Sequence, residues 1–137
     1  MKEGATVRIK QISVFVENKP GRLNAILAAL DKAKVNLEAI SVSETTEFGI
    51  VRMIMDKPEA GSQALKNEGF TERTDLMLSA EIPDRPSSLL KMVVEPLASA
   101  GININYFYAF LEHKANKARI VLKTSDDDKA ESILAKI

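Results

Sequence analysis

Two short segments combine residue types that can hold a small anion. They are Asn18-Lys19-Pro20-Gly21-Arg22-Leu23 and Asp84-Arg85-Pro86-Ser87-Ser88-Leu89, and each precedes apolar residues at helical spacing. The first turn of a helix has backbone N–H groups without partners and carries the positive end of the helix dipole, which together attract a carboxylate. Gly21 has no side chain, so a ligand could approach the backbone there. The alternative interpretation is that proline and glycine only shape a tight turn.

Groups that could support catalysis or metal binding are scarce. The chain has no cysteine and a single histidine, His113, which falls in a polar segment where a hairpin turn is expected. Ser87 and Ser88 are not accompanied by a base, and Asp126 to Asp128 are typical of the start of a helix. No phosphate-binding loop, dinucleotide fingerprint or nucleophile motif is present. We therefore predict a protein that is not an enzyme and that uses no metal and no cofactor.

The composition is that of a globular protein without a charge bias. Its 137 residues include 19 basic and 19 acidic side chains, so the formal net charge is zero. This balance predicts no binding to nucleic acid or membranes, and the aromatic residues from Tyr106 to Phe110 lack the basic surroundings that a base-stacking surface needs. No apolar stretch approaches the roughly 18 residues of a membrane span, and the N-terminus does not look like a signal peptide. Together with the absence of cysteine, this predicts a cytoplasmic location.

The two segments belong to a longer internal repeat. Pro20 and Pro86 lie 66 positions apart, whereas Asn36 and Asn103 lie 67 positions apart. The second copy has therefore gained one residue in its first helix. Pro96 also lies in that helix, where proline removes a backbone hydrogen bond. We expect a kink or a local bulge near Pro96 that accommodates the extra residue.

Each copy shows the element order β-α-β-β-α. Alternating apolar residues predict the strands, and spacings such as that of Leu23, Ile26, Leu27 and Leu30 predict the helices. This order is typical of an α+β fold of two ferredoxin-like βαββαβ modules in tandem, with antiparallel sheets and helices on one face. The modules are predicted at 1–75 and 76–137, with the second lacking its last strand.

The missing strand leaves one sheet edge uncovered, and such edges invite pairing. We expect the segment from Ala5 to Lys10, or a partner chain, to cover it. Pro20 and Pro86 are both expected where a helix begins, because proline suits the first helical position.

The repeated segments resemble the ACT domain, an amino-acid-sensing regulatory module. The resemblance rests on Glu17-Asn18-Lys19-Pro20-Gly21-Arg22-Leu23 followed by Val35-Asn36-Leu37, and on Asp84-Arg85-Pro86-Ser87-Ser88-Leu89 followed by Gly101-Ile102-Asn103-Ile104. It extends from about residue 10 to the end, and the whole is similar to small stand-alone tandem ACT proteins. The resemblance implies that ligands bind where modules meet and that modules pair side by side, which favours a homodimer.

The resemblance also implies the site residues, which are the two turns and the starts of the strands that follow them. They are Asn18, Lys19, Pro20, Gly21, Arg22, Leu23, Asn36, Leu37, Asp84, Ser87, Ser88, Leu89, Asn103 and Ile104. Because Ser87 stands where the family often has glycine, the first copy is favoured as the binding site.

Three functional hypotheses follow. The first is a non-catalytic regulatory protein that binds an amino acid or a related small carboxylate at an interface between modules or in a dimer. The second is an accessory protein-interaction subunit of a metabolic enzyme that senses no ligand. The third is a small enzyme on the same fold, such as an acylphosphatase using Arg22 and Asn36, although the turn does not resemble that family.

Overall fold

The computed structural model describes residues 6–17, 19–44, 47–112 and 116–136. The strands are β1 (Thr6–Glu17), β2 (Leu37–Glu44), β3 (Phe48–Met55), β4 (Thr71–Pro83), β5 (Ile104–Glu112) and β6 (Lys117–Thr124). The helices are α1 (Arg22–Lys32), α2 (Pro58–Asn67), α3 (Pro86–Leu89), α4 (Glu95–Ser99) and α5 (Asp127–Leu134), with a π-helical turn (Leu90–Val94) between α3 and α4. The element order predicted for each copy is confirmed.

The chain forms two compact units. The first unit is Lys10–Leu76, and the second is Met77–Ile137 together with the residues through Ile9. Strands β1 and β4 therefore each contribute to both units. The strand order is β2-β3-β1-β4 in the first unit and β1-β4-β6-β5 in the second.

The first unit buries one face of its sheet under α1 and α2. Strand β3 pairs antiparallel with β1 and with β2. Alternate residues of β1 and β3 share one face and pack against the apolar residues of the helices. This core consists of Ile12, Val14, Ile26, Ala29, Leu30, Val35, Val51, Met53, Met55 and Leu65.

Helix α1 buries only part of its predicted apolar stripe. Ile26 and Leu30 are buried, whereas Leu23 and Leu27 are each 39% exposed. Ala29 joins the core next to Leu30, so the buried stripe lies to one side of the predicted one. Leu23 and Leu27 are therefore available for contacts outside the core.

The second unit has the same construction. Strand β6 pairs antiparallel with β4 and with β5. Its core consists of Leu78, Ala80, Ile82, Val93, Leu97, Ile102, Ala118, Ile120, Leu122, Ala130 and Leu134. Helix α5 begins as predicted, because the Asp126 side chain accepts a hydrogen bond of 3.1 Å from the backbone N–H of Lys129.

The N-terminal part of β1 stands where the second unit would otherwise lack a strand. The residues through Ile9 belong to this unit, and β1 is the neighbour of β4 in the strand order. Arg8 attaches this segment to α5, with Nη2 3.0 Å from Asp128 Oδ1 and 3.2 Å from Glu131 Oε1. These carboxylates raise the pKa of Arg8, the hydrogen bond with Glu131 being the main cause. The N-terminal segment thus lies at the edge that we expected it to cover.

The helical segment from Pro86 to Ser99 confirms the bulge predicted near Pro96. A π-helical turn at Leu90–Val94 separates α3 from α4, and Pro96 follows it in α4. Because hydrogen bonds in a π-helical turn run from residue i to i+5, the turn takes up one residue more than an α-helical turn does. The residue gained by the second copy is accommodated there.

Three residues named in the predictions, Ala5, Asn18 and His113, lie outside the described residues. In the part of the chain that is described, no helix is long and apolar enough to cross a membrane.

Candidate functional site

The first turn has a backbone conformation that favours glycine. Gly21 is the N-cap of α1, with φ at 87° and ψ at −9°, in the left-handed region. The helix therefore begins at Arg22, and Pro20 does not take the first helical position that was expected for it. The carbonyl of Gly21 accepts the N–H of Ala25 at 3.0 Å, and the N–H of Arg22 donates to the carbonyl of Lys19 at 3.4 Å. Lys19 and Arg22 thus flank the bend along the chain.

A cavity of about 280 Å³ lies beside this bend, within the first unit. We call it the first-turn pocket. One side is apolar and comes from the strands and the helix, and the other side carries charges from the turn. Its lining residues are Val16, Glu17, Lys19, Arg22, Leu23, Val42, Ser43, Gly49 and Val51.

The charges of the first-turn pocket are unequally paired. Lys19 Nζ lies 2.8 Å from Glu17 Oε2. The hydrogen bond from Lys19, with further attraction from Lys19 and Arg22, holds the pKa of Glu17 below its usual range. Arg22, in contrast, makes no side-chain hydrogen bond or ion pair with any side chain that the structure describes. Among the described side chains, the pocket therefore combines Lys19, which is paired with Glu17, and Arg22, which has no such partner.

Strand pairing brings the apolar side of this pocket together. Val16 pairs with Gly49, and Val42 pairs with Val51. Residues from three strands thus meet next to Leu23 at the start of α1. Sequence analysis missed Val16, Glu17, Val42, Ser43, Gly49 and Val51, because their proximity depends on pairing between distant strands. Only Val16 and Glu17 carried a local signal, since they directly precede the turn.

The residues predicted in the first turn have different positions. Lys19, Arg22 and Leu23 line the pocket. Gly21 shapes the bend, and Pro20 lies in the turn but does not line the pocket. Asn18 lies outside the described residues.

Asn36 and Leu37 do not meet the first turn. Leu37 pairs with Met55 at one end of β3, whereas the pocket residue Gly49 lies near the other end. The six residue steps from Gly49 to Met55 span about 20 Å of strand. Asn36 is engaged locally, because its backbone N–H and its Nδ2 donate to the carboxylate of Asp56 at 3.0 and 3.4 Å. Both residues therefore lie apart from the first turn.

The second turn has a different conformation. Arg85 is an extended N-cap with φ at −153°, and α3 begins at Pro86, as predicted. Ser87 is therefore a helical residue. Ser88 is buried, and Arg85 Nε donates to its Oγ at 3.4 Å. The hydroxyl of Ser88 is thus engaged within the turn itself.

A cavity of about 260 Å³ lies beside the second turn, within the second unit. We call it the second-turn pocket. It is mostly apolar, with Asp84 and Arg85 as its charged residues, and its lining residues are Ile82, Pro83, Asp84, Arg85, Pro86, Leu89, Phe107, Ala109, Ala118 and Ile120. The two pockets lie at corresponding places in the two units. Val16 and Gly49 pair in the first-turn pocket, and Ile82 and Ala118 pair in the same way in the second-turn pocket.

Asn103 and Ile104 lie away from the second-turn pocket. Ile104 pairs with Thr124 at the end of β6 opposite to Ala118. The backbone N–H of Asn103 donates to Ser125 Oγ at 3.0 Å, and its Nδ2 donates to Asn105 Oδ1 at 2.9 Å. As in the first copy, the strand start predicted as part of the site is remote from the turn.

Comparison with protein families gives a clear result. A family model described as an ACT domain pair matches residues 7–137. The chain belongs to the ACT domain pair family. This membership confirms the resemblance seen in the repeated turns and the ferredoxin-like fold of its two modules.

Solved structures share this fold. Protein BT0572 from Bacteroides thetaiotaomicron is 32% identical, with a TM-score of 0.87 over 96% of this chain and 90% of that one. The regulatory subunit of aspartate kinase from Thermus flavus is 15% identical, with a TM-score of 0.65 over 97% of this chain and 93% of that one. The same subunit from Thermus thermophilus, in a ligand-free form, is 14% identical with a TM-score of 0.65 over 96% and 95%. Among curated proteins, no match was found.

Proposed function

We propose that this chain is a non-catalytic regulatory protein that binds an amino acid or a related small carboxylate in the first-turn pocket. Its membership of the ACT domain pair family supports a regulatory role. The fold that it shares with two aspartate kinase regulatory subunits is consistent with that role. Binding would act through assembly or through the activity of a partner, and the proposed location is the cytoplasm.

The proposed site rests on Arg22 as a cation that is available to a ligand. Arg22 lines the first-turn pocket and has no partner among the described side chains, whereas Lys19 is already paired with Glu17. A guanidinium forms two parallel hydrogen bonds with a carboxylate, so it suits this class of ligand. The apolar wall of Val16, Val42 and Val51 would then contact a small side chain. A cavity of about 280 Å³ suits a ligand of amino-acid size.

The site is tested with a thermal-shift screen of the amino acids and their related acids, followed by calorimetry on those that bind. A ligand at 100 times its dissociation constant should stabilise the protein by about 2.7 kcal/mol. Hydrogen bonds to charged groups contribute about 1.5–3 kcal/mol, so Arg22→Gln should weaken binding between tenfold and about 150-fold.

Arg85→Gln is the matched control, because Arg85 borders the second-turn pocket. We expect it to leave the affinity unchanged. If no compound stabilises the protein, the sensing function is wrong. If Arg85→Gln weakens binding and Arg22→Gln does not, the ligand binds at the second turn instead.

We also propose that the chain associates with a second copy through strand β2. This strand ends the strand order of the first unit. Ile40 and Val42 on β2 are 42% and 58% exposed, and Leu27 on α1 is 39% exposed. An unpaired strand edge beside exposed apolar side chains is typical of an interface.

Light scattering after size-exclusion chromatography tests this interface. We expect a dimer that Ile40→Lys converts to a monomer. Leu76→Lys is the control, because Leu76 is an exposed apolar residue on β4. A monomeric starting protein would contradict the dimer. Co-purification with a metabolic enzyme, unaffected by amino acids, would favour an accessory subunit that senses no ligand.

A further inference from the structure

We propose that another pocket of the first unit binds a small tetrahedral oxyanion, namely inorganic phosphate or the phosphate group of a small metabolite. This pocket, which we call the α2 pocket, has a volume of about 220 Å³ and is lined by residues of α2, β1 and β4. It shares no lining residue with the first-turn pocket, so the inference does not rest on the proposed function. Its polar lining residues are Lys10, Glu59, Ser62, Gln63, Lys66 and Thr74.

The α2 pocket is polar although it faces the layer between helix and sheet. Side chains alternate along a strand, so Lys10 faces the same side of β1 as the core residue Ile12. The polar residues that α2 contributes, between Glu59 and Lys66, are spaced i, i+3, i+4 and i+7 and therefore form one face of the helix. Polar side chains from the helix and from the sheet thus border one space, which suits a polar ligand.

The second copy fills the corresponding space with a side chain of its own. Arg8 on β1 corresponds to Thr74 on β4, because these strands repeat at an offset of 66 positions. Arg8 Nη2 lies 3.0 Å from Asp128 Oδ1 and 3.2 Å from Glu131 Oε1, on the second and fifth residues of α5. Thr74 is much shorter than arginine, so the equivalent space beside α2 stays open as the α2 pocket.

The charges of the two spaces differ in sign. The second and fifth residues of α2 are Glu59 and Ser62, so one of the two carboxylates found on α5 is replaced by a hydroxyl. Lys10 and Lys66 also line the α2 pocket, where they face Glu59 as the carboxylate of the lining. A guanidinium therefore suits the space in the second copy, whereas an anion suits the α2 pocket.

Lys10 is the cation that an anion can engage at low cost. Its ammonium pairs with Glu59, whose side chain is 71% exposed. Exposed ion pairs contribute little to stability, so Glu59 can turn into solvent when an anion takes its place. Lys66 is held more firmly, because its Nζ lies 3.3 Å from Glu72 Oε1 and the side chain of Glu72 is 5% exposed. An ammonium has three N–H donors, so Lys66 can still donate to a ligand.

Uncharged donors border the α2 pocket from both layers. The hydroxyls of Ser62 on α2 and Thr74 on β4 have no hydrogen-bond partner among the residues that the structure describes. Gln63 Nε2 donates one N–H to Asn67 Oδ1 at 2.9 Å, which leaves its second N–H for a ligand. A phosphate group offers acceptor oxygens in several directions, whereas a carboxylate offers two oxygens at one end. Donors on both sides of the cavity therefore suit phosphate better than a carboxylate.

NMR of the backbone amides of the full chain tests this site. The probes are inorganic phosphate, sulfate, glycerol phosphate and acetate, each at matched ionic strength. We expect phosphate and sulfate to shift the resonances of Ser62, Gln63 and Thr74, and acetate to bind at least about tenfold more weakly. Glycerol phosphate binding as tightly as phosphate would identify a phosphorylated metabolite as the ligand source, whereas weaker binding would identify free phosphate.

Lys10→Gln and Glu59→Gln form a matched pair, because each removes the same ion pair. Lys10→Gln should weaken phosphate binding at least about tenfold, whereas Glu59→Gln should tighten it by leaving Lys10 to the ligand. Thr74→Arg should abolish binding, because the new side chain would fill the pocket as Arg8 does in the second copy. Lys129→Gln, on the exposed side of α5, removes a charge elsewhere and should leave the affinity unchanged. Urea unfolding of each variant separates a loss of binding from a loss of folding.

Four results would overturn the inference. Equal binding of acetate and phosphate would show that the pocket does not recognise a tetrahedral oxyanion. Affinity changes of the same sign in Lys10→Gln and Glu59→Gln would show that the charges of the pocket do not hold the ligand. Phosphate shifts confined to the first turn would place the anion in the first-turn pocket instead. If neither phosphate nor sulfate binds, the α2 pocket is not an oxyanion site, while the proposed amino-acid site is tested separately by its own screen.

Discussion

The conformation of Gly21 allows a direct test of the first turn, by the substitution Gly21→Ala. With φ at 87°, an L-residue at this position is strained by about 1–2 kcal/mol. Alanine also reduces the conformational entropy of the unfolded chain, which raises the unfolding free energy by about 0.4–1 kcal/mol. A Cβ built on Gly21 meets nothing within 4 Å, so no collision adds to the strain. The expected net loss of unfolding free energy is therefore about 0–1.6 kcal/mol, centred on ~0.8 kcal/mol.

Gly101→Ala is the matched control for this change. Gly101 follows α4 with φ at 76°, and a Cβ there also meets nothing within 4 Å. The loss of stability should therefore be similar in the two variants. Only Gly21→Ala should weaken ligand binding, because relaxation of the strained bend moves Lys19 and Arg22.

Urea unfolding followed by circular dichroism gives the stability of each variant, and calorimetry gives the ligand affinity. An unchanged stability in Gly21→Ala would show that the left-handed bend is not required. An equal loss of affinity in both variants would show that binding depends on overall stability rather than on the turn.

Three further changes test other parts of the structure. Lys34 has φ at 59° where the second copy has Gly101, so Lys34→Gly should raise the unfolding free energy by about 0.5–1 kcal/mol in a urea titration. Deletion of the exposed Lys91 should remove the π-helical turn and lower the unfolding free energy by less than about 1 kcal/mol. Deletion of Ala28 in the regular helix α1 should lower it by about 2–5 kcal/mol, because Ile26 is displaced from the core. Urea unfolding followed by circular dichroism would compare the two variants. Burial alone would raise the pKa of Asp127, but hydrogen bonds from Thr124 and Lys123 outweigh it and hold that pKa below its ordinary value. The stability that this shift provides is present above the pKa of Asp127 in the unfolded chain and is lost as the pH falls through its lower pKa in the folded protein. Acidification below about pH 4 should therefore destabilise the protein. Asp127→Asn should make the unfolding free energy depend less on pH in this range.

Local signals were sufficient to predict the order of elements and one irregularity. The helix that contains Pro96 is an example, because a changed repeat spacing and an interior proline both come from neighbouring residues. The helix start at Asp126 is another, since capping depends on residues three apart. Such features depend on short stretches of chain, so the sequence shows them directly.

The candidate pocket was only partly predictable, because it depends on contacts between distant strands. Val42 and Val51 meet only through the pairing of β2 with β3, and no local pattern indicates that pairing. Asn36 shows the reverse case, since it belongs to the repeated motif but lies at the far end of its strand. The exposure of Leu27 likewise depends on how α1 rotates against its sheet, which a helical spacing alone leaves open.

Because the chain contains two copies of one module, comparing their pockets separates residues that are needed for folding from residues that are available for ligand binding. Apolar positions of the two pockets correspond, such as Val16 with Ile82 and Leu23 with Leu89, so both copies can build the same cavity. Lys19 and Arg85 also correspond, whereas three other positions differ. Glu17 is replaced by the uncharged Pro83, and Gly21 by Ser87, which lies in the helix. Arg22 is replaced by the buried Ser88. Because the cavity forms in both copies, these three positions are not needed to fold it. The charges of Glu17 and Arg22 in the first copy therefore fit recognition of a ligand better than stability of the module.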